Sequence, residues 1–328
     1  MNPEGLADRG DLDPEAVRLV ESLNDLMSGE AVVTALVQLG SRAITPLRTF
    51  LLEGRPSTVY HPRRWAVAAL GGLGAVDVLF EYLNNPRKID DPQLRFAEEP
   101  VQNAAIRALA AQADQGIVQF FLEFSKRKML PSLAEVFGQL QCTAALPFLD
   151  RALEDDVCRP EAENAFRKVG APARSHLVMS AITPRPSADA ETPSSLRRRR
   201  SALSLLVDIG IGPENWEELK QLVMDEDPEL FIHLCVLAAD AGIQEREDLA
   251  RRLIGAFPVA PWDLHESVEQ CLTTWFEVAE PLIEEEVRRR TAVHQARPGF
   301  DETLRFLSRV LRSARQGRAE ANPFRETA

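Results

Sequence analysis

Five histidines, four cysteines and four tryptophans are the residues of this 328-residue chain most open to a chemical reading. A metal centre needs three or four converging ligands. His61, His176, His233, His265 and His294 are scattered, and none meets another at i+3 or i+4. No metal ligand is assigned. Cys142, Cys158, Cys235 and Cys271 form no C-x-x-C pair, so they read as small buried thiols in a reducing compartment. No Walker loop, G-x-S-x-G, H-E-x-x-H or G-x-G-x-x-G is present. Gly71-Gly72-Leu73-Gly74 is rich in glycine, but no strand precedes it, and it reads as a crowded helix end. No catalytic residue and no cofactor site is assigned either. Trp65 and Trp275 sit among apolar neighbours at helical spacing and are expected in the core. Trp262, after Pro258-Val259-Ala260-Pro261, is expected as a partly exposed loop anchor.

Charge narrows the partners. The net charge is −12, and a broadly acidic surface repels nucleic acid and anionic membranes. From Val287 onward ten arginines face four acidic residues, which leaves the tail basic and the remainder strongly acidic. Arg197 to Arg200 form a cationic run at a helix start, against the helix dipole, and read as a solvated lead-in that pairs with acidic neighbours. Arg288 to Arg290 close a helix containing Glu284 to Glu286, an order that suits i, i+4 pairing. Arginine outnumbers lysine 33 to 5, which fits a GC-rich, bacterial coding bias. No basic-then-apolar run opens the chain, and no apolar stretch approaches the roughly 20 residues that span a bilayer. The expectation is a cytoplasmic protein.

The elements that must position these residues are helices. An apolar–Gly pattern returns at Leu39-Gly40, Leu73-Gly74, Val169-Gly170, Ile209-Gly210 and Ala241-Gly242, with Ala113 and Gln141 at the equivalent points of two looser copies. Each copy reads as one helix, a tight turn and a second helix, the glycine supplying a left-handed cap without strain. Pro46, Pro147 and Pro281 recur as first-turn prolines of second helices. Longer gaps mark insertions at Asn84–Pro100 and Thr183–Ser195, the latter expected as a mobile Pro/Ser loop and the best place for a boundary. No useful strand alternation is visible.

Two copies carry a family resemblance: Arg63-Arg64-Trp65-Ala66-Val67-Ala68-Ala69-Leu70-Gly71-Gly72-Leu73-Gly74 and Gln102-Asn103-Ala104-Ala105-Ile106-Arg107-Ala108-Leu109. They resemble HEAT repeats, in particular the short bacterial HEAT-like repeats of the phycobilisome-lyase type. The resemblance implies an all-α solenoid of about seven to eight stacked antiparallel helix pairs, right-handed, with second helices on the concave side. The expected organisation is a tail and capping helix over 1–30 and repeats over 31–182. A flexible loop over 183–196, repeats over 197–291 and a basic amphipathic helix and tail over 292–328 complete it. Such arrays are usually binding surfaces. The chain is therefore expected to be a non-catalytic scaffold or adaptor for a protein or peptide. Candidate contacts are polar positions of second helices, Arg48, Glu81, Gln119, Glu123, Asp150, Arg151 and Arg251, with Arg305, Arg309 and Arg312 of the tail helix. That last helix, lined on one side by Phe300, Leu304, Leu307 and Leu311, is expected to cap the array with Leu304, Leu307 and Leu311 inward. The alternative is a HEAT-like enzyme or nucleic-acid-binding module, of the bilin-lyase or alkylated-base-repair type. Deoxyhypusine hydroxylase resembles the fold too, but its di-iron centre needs several His-Glu pairs, and His265-Glu266 stands alone.

Overall fold

Alternating apolar stripes, side-chain caps and tight glycine turns produce a chain that is 79% helical in its computed structural model. The structure describes residues 13–85, 88–112, 114–187, 190–243, 246–296 and 299–321. Eighteen α-helices lie within them, and the only strands there are a two-residue pair. Among the described residues no helix is long and apolar enough to cross a membrane. The chain forms two compact units, residues 1–152 with 156–165, and residues 153–155 with 166–328. The division thus falls within 153–166, ahead of the 183–196 segment.

The first unit runs α1 (Pro14–Ser22), α2 (Gly29–Gln38), α3 (Ile44–Glu53), α4 (His61–Gly72), α5 (Val76–Asn84), α6 (Pro92–Ala110), α7 (Gln115–Ser125), α8 (Pro131–Gln139) and α9 (Leu146–Ala152). Asp13, Asp91 and Asp114 open α1, α6 and α7 by accepting backbone N–H bonds in the first turn. Helices α2, α4, α6 and α8 pack in succession, while α3 lies against α4 and α5. Small residues let them approach. A Cβ on Gly71 would lie 2.9 Å from that of Ala108, and one on Gly72 2.9 Å from a Val37 methyl. The glycine-rich stretch is a crowded helix end, as its sequence suggests. The core stripe passes through Leu36, Leu47, Leu51, Val67, Leu70, Leu79, Ile106 and Phe121, all buried. The Asn84–Pro100 insertion is not all loop, since α6 begins at Pro92 and carries Pro100 within it.

Helix α10 (Arg159–Val169) spans the division. The second unit continues with α11 (Arg174–Ile182), a hairpin of β1 (Pro186–Ser187) and β2 (Ala190–Glu191), α12 (Pro193–Ile209), α13 (Pro213–Leu219), α14 (Pro228–Asp240), α15 (Arg246–Ala256), α16 (His265–Thr274), α17 (Phe276–Ala296) and α18 (Glu302–Ala321). Helix α12 packs on α11 and α14, α14 on α16, α15 on α17, and α17 on α18. The expected loop at 183–195 is thus partly built. Thr192 caps α12 through the Ser195 N–H, and buried Ser195 accepts from the Arg185 N–H and donates to Glu191. Pro281 lies inside α17, not at a helix start as expected.

Backbone geometry at the turns follows the repeat. Gly40, Gly74, Gly170, Gly210 and Gly242 have positive φ, and so does Gln141, at φ 48°. Ala113, the other looser copy, lies outside the described residues. At 74, 141 and 242 the helix ends in a Schellman pair: Ala75 N–H to Leu70 C=O, Cys142 to Phe137 and Ile243 to Ala238, each spanning five residues. At Gly170 and Gly210 a single bond closes the turn, to Phe166 and Leu206. Their φ/ψ pairs, 68°/−138° and 77°/161°, lie where only glycine is at ease. Two turn chemistries therefore share one spacing, and only one of them tolerates glutamine.

Helix α18 docks by a face one step round from the expected one. Phe306, Leu307, Val310, Leu311 and Ala314 are buried, Leu304 is half-buried, and Phe300 is 76% exposed. The Phe306 ring stacks on Phe257 at 3.9 Å between centroids. Around that seam Arg309 pairs with Glu269, and Arg315 with Glu280 and Glu284.

Candidate functional site

The expected contact residues meet different fates. Arg48 on α3 and Glu81 on α5 bind each other in a two-pronged pair of 2.8 and 2.5 Å. That hydrogen bond lowers the Glu81 carboxyl and raises the Arg48 guanidinium. Gln119 and Glu123 are exposed on α7, with Glu123 paired to Lys126. Exposed Arg151 reaches the Ser125 carbonyl at 3.3 Å, and exposed Arg251 pairs with Glu247 along α15. Asp150 departs from expectation, being only 6% exposed and part of the α9 packing face. It is unsuited to partner contact. On α18, Arg305 lies over the Phe300 ring, and Arg312 donates to the Ser308 carbonyl. Arg305, Arg309 and Arg312 line one shallow hollow with His265 and Glu302.

The Arg197–Arg200 run is not a solvated lead-in. Arg198 and Arg199 are buried. Arg198 reaches Glu154 at 3.0 Å and the Ser180 and Thr183 carbonyls. Arg199 bridges Glu191 and Asp225 at 2.7 and 2.5 Å, and Arg200 holds Asp227 and Glu229. The acidic pairing is as expected; its depth is not. These arginines are the polar bolt of the second unit.

Elsewhere in that unit burial silences the reactive groups. Burial pushes the Cys271 thiol up to about 12 and holds the Cys235 thiol well above its ordinary range. Burial also lowers His233, against the opposing pull of the Glu229 backbone and of Asp263, Asp208 and Asp227. Among the described residues no group of three or more His, Cys, Asp or Glu could hold a metal. Trp275 and Trp216 are buried, Trp65 is half-buried, and Trp262 is largely exposed.

The arrangement with the most pronounced chemistry lies in the first unit and was missed by sequence reasoning. Arg63, at the start of α4, is 6% exposed. It pairs with Glu98 of α6 and donates to the Leu51 carbonyl of α3 at 2.8 Å. The Tyr82 hydroxyl of α5 donates to the other Glu98 oxygen at 2.6 Å. Burial holds the Tyr82 phenol well above its ordinary range, with the Glu98 charge adding to the effect, so it stays a proton donor. Beside this triad opens a cavity of about 220 Å³. Arg63, Tyr82, Glu98 and Gln102 line it, with Lys88, Arg95 and Lys128 toward its rim and Leu51, Leu52 and Ile89 as apolar wall. Lining cations outnumber carboxylates four to one, on a protein of net charge −12. Two buried polar atoms are left unpartnered, Arg63 Nε and Gln102 Oε1. Such atoms cost about 1–3 kcal/mol each when unpaired. One signal was available in the sequence: Arg63 stands in phase with Val67 and Leu70 on the buried stripe of α4.

A second, more open groove of about 830 Å³ runs beside Trp65, with Arg64, Asn103, Arg107 and Glu30 on its walls. Arg107 is committed there to Glu135 at 2.6 Å.

No protein-family model matches the chain, and comparison with curated proteins finds no match.

Proposed function

We propose that the chain is a non-catalytic helical scaffold that holds a protein or peptide partner along its second helices. The observation that carries this reading is the layering within each unit, α2–α4–α6–α8 in one and α12–α14–α16 in the other, with left-handed turns at Gly40, Gly74, Gln141, Gly170, Gly210 and Gly242. In a HEAT-like solenoid such layers leave a continuous concave face of second helices open to a partner. Gln119, Glu123, Arg151 and Arg251 are exposed residues of that kind. Arg48 and Glu81 satisfy each other and serve as a fixed, neutral patch rather than as free charges.

The solenoid and the scaffold are tested separately. Small-angle scattering should give a radius of gyration well above the roughly 20 Å of a globular chain of this length. A value at that figure removes the solenoid. For the scaffold, affinity capture by the full chain is compared with capture by Glu123→Lys and Arg151→Glu variants. A partner lost with these substitutions and retained with changes on first helices supports the reading; the reverse pattern overturns it. The enzyme or nucleic-acid alternative has the Trp65 groove in its favour, yet Glu30 shares that groove and Arg107 is neutralised within it.

A further inference from the structure

We infer that the groove beside Trp65 is the face through which two copies of this chain pair about a two-fold axis. The groove lies on α2, α4 and α6 of the first unit, and most of its lining is apolar, Val33, Trp65, Ala68, Pro100 and Ala104 among it. Pro100 also borders a second hollow of about 430 Å³ over Tyr60, Pro92 and Phe96, and Phe96 is 71% exposed. In soluble proteins a contiguous exposed apolar surface marks an interaction site. The polar lining of the groove is nearly all spent within the chain. Asn103 donates to the Glu99 carbonyl at 2.9 Å and accepts the Ser132 N–H at 3.1 Å, and Arg107 holds Glu135. Glu30 and Arg64 are left over: both are exposed, and neither forms an ion pair among the described residues.

One free anion and one free cation on the same groove select the occupant. A partner of a single sign would satisfy one and repel the other. A second copy brings both, since a two-fold axis sets Glu30 of each protomer opposite Arg64 of the partner subunit and closes two ion pairs at once. The chain also carries what would fill the apolar space. Met27 is 94% exposed, more than any other large apolar residue described, and Leu26 beside it is 52% exposed. They project from a turn that is tied down: the Asp25 carboxylate accepts the Met27 N–H at 3.1 Å and the Ser28 hydroxyl at 2.8 Å. Gly29, two residues on, lies flush against the Trp65 ring, where a Cβ would stand only 2.4 Å from it. The projecting methionine therefore borders the groove wall, and the same axis carries it into the groove of the second copy. Methionine, tryptophan and arginine are residue types that interfaces gather. Pairing through first helices leaves the second helices to a scaffold's partner, and it needs no solenoid.

Sedimentation equilibrium of the full chain tests it at about 0.15 M salt, where repulsion between two chains of net charge −12 is screened beyond about 8 Å. The chain should weigh as a dimer at about 100 µM. No larger species should form, because a two-fold contact closes on itself. Met27→Asp should weaken dimerisation about tenfold or more. Glu30→Lys and Arg64→Glu should each weaken it too, since each sets like charges opposite one another in the homodimer. An equimolar mixture of those two variants should recover the parent's affinity as a heterodimer, in which every facing pair is again opposite in sign. That recovery would also show both variants to be folded. Two-fold pairing through this groove is overturned by a chain that stays monomeric at about 500 µM, which leaves the groove to a partner of another kind. It is equally overturned by an open series of larger species, by a dimer that Met27→Asp leaves unchanged, or by a mixture that associates no better than either variant alone.

Discussion

Single residues carry this fold's exceptions, and Gln141 is the clearest. It occupies a left-handed turn position where a side chain is strained, within a Schellman pair that glycine serves equally well. Gln141→Gly should therefore stabilise the chain by about 1 kcal/mol, read as a higher urea midpoint. Gly210→Ala should do the opposite by about 1–3 kcal/mol, because its φ/ψ pair is open to glycine alone. Buried Arg199 faces Glu191 and Asp225, and Arg199→Ala removes the cation that both carboxylates share. A loss of about 3–5 kcal/mol is expected in the same measurement. His233 sets a pH limit. Burial lowers its folded pKa beneath the ordinary 6.5, so the unfolded chain takes up the proton first. Stability present above pH 6.5 is lost as pH falls through the folded value. Glu229, raised by burial, acts in the opposite sense from its ordinary 4.5 upward, so the slope is read just below pH 6.5. There His233→Gln should flatten the melting-temperature profile, and an unchanged slope would assign the effect elsewhere.

Elements were legible wherever a local signal sets them. The caps of α1, α6 and α14 follow from Asp-Pro pairs, and the turns at 40, 74, 141, 170, 210 and 242 from spacing alone. Legibility failed where partners lie far apart in sequence. Arg63 and Glu98 are 35 residues apart, and the trace that is local is the place of Arg63 on the buried stripe of α4. Asp150 was misplaced for a related reason, since a polar residue on a short helix does not announce which face is covered. Helix α18 shows how far an amphipathic pattern reaches: the sequence marks its stripe, while the seam on Phe257 rotates that stripe toward Phe306. Phe306, Leu307, Val310 and Leu311 each bury side chains worth about 1.5–3 kcal/mol. Removing residues 299–328 should lower the melting temperature by more than about 5 °C or provoke aggregation. The pairs of Arg309 and Arg315 are exposed and contribute little, so about 0.5 M salt, enough to screen them, should change little. Deletion without loss of stability would mark α18 as an arm for a partner.

For the whole molecule, charge and layering act together. With a pI near 5.1, solubility should be lowest close to that pH, where net repulsion between chains vanishes. Function was less legible than fold because the candidate contacts are ordinary exposed side chains, and nothing in their spacing separates Glu123 from any other surface glutamate. The layering has a consequence for how the chain comes into being. Four ion pairs that stitch one layer to another join residues 28 to 41 positions apart: Arg107 to Glu135, Arg48 to Glu81, Arg63 to Glu98, Arg167 to Asp208. At synthesis rates of about 5–20 residues per second, each such partner leaves the ribosome within about 1–8 seconds of the other. A growing chain can therefore close each layer before the following one is translated, so that the helices assemble in the order in which they are made.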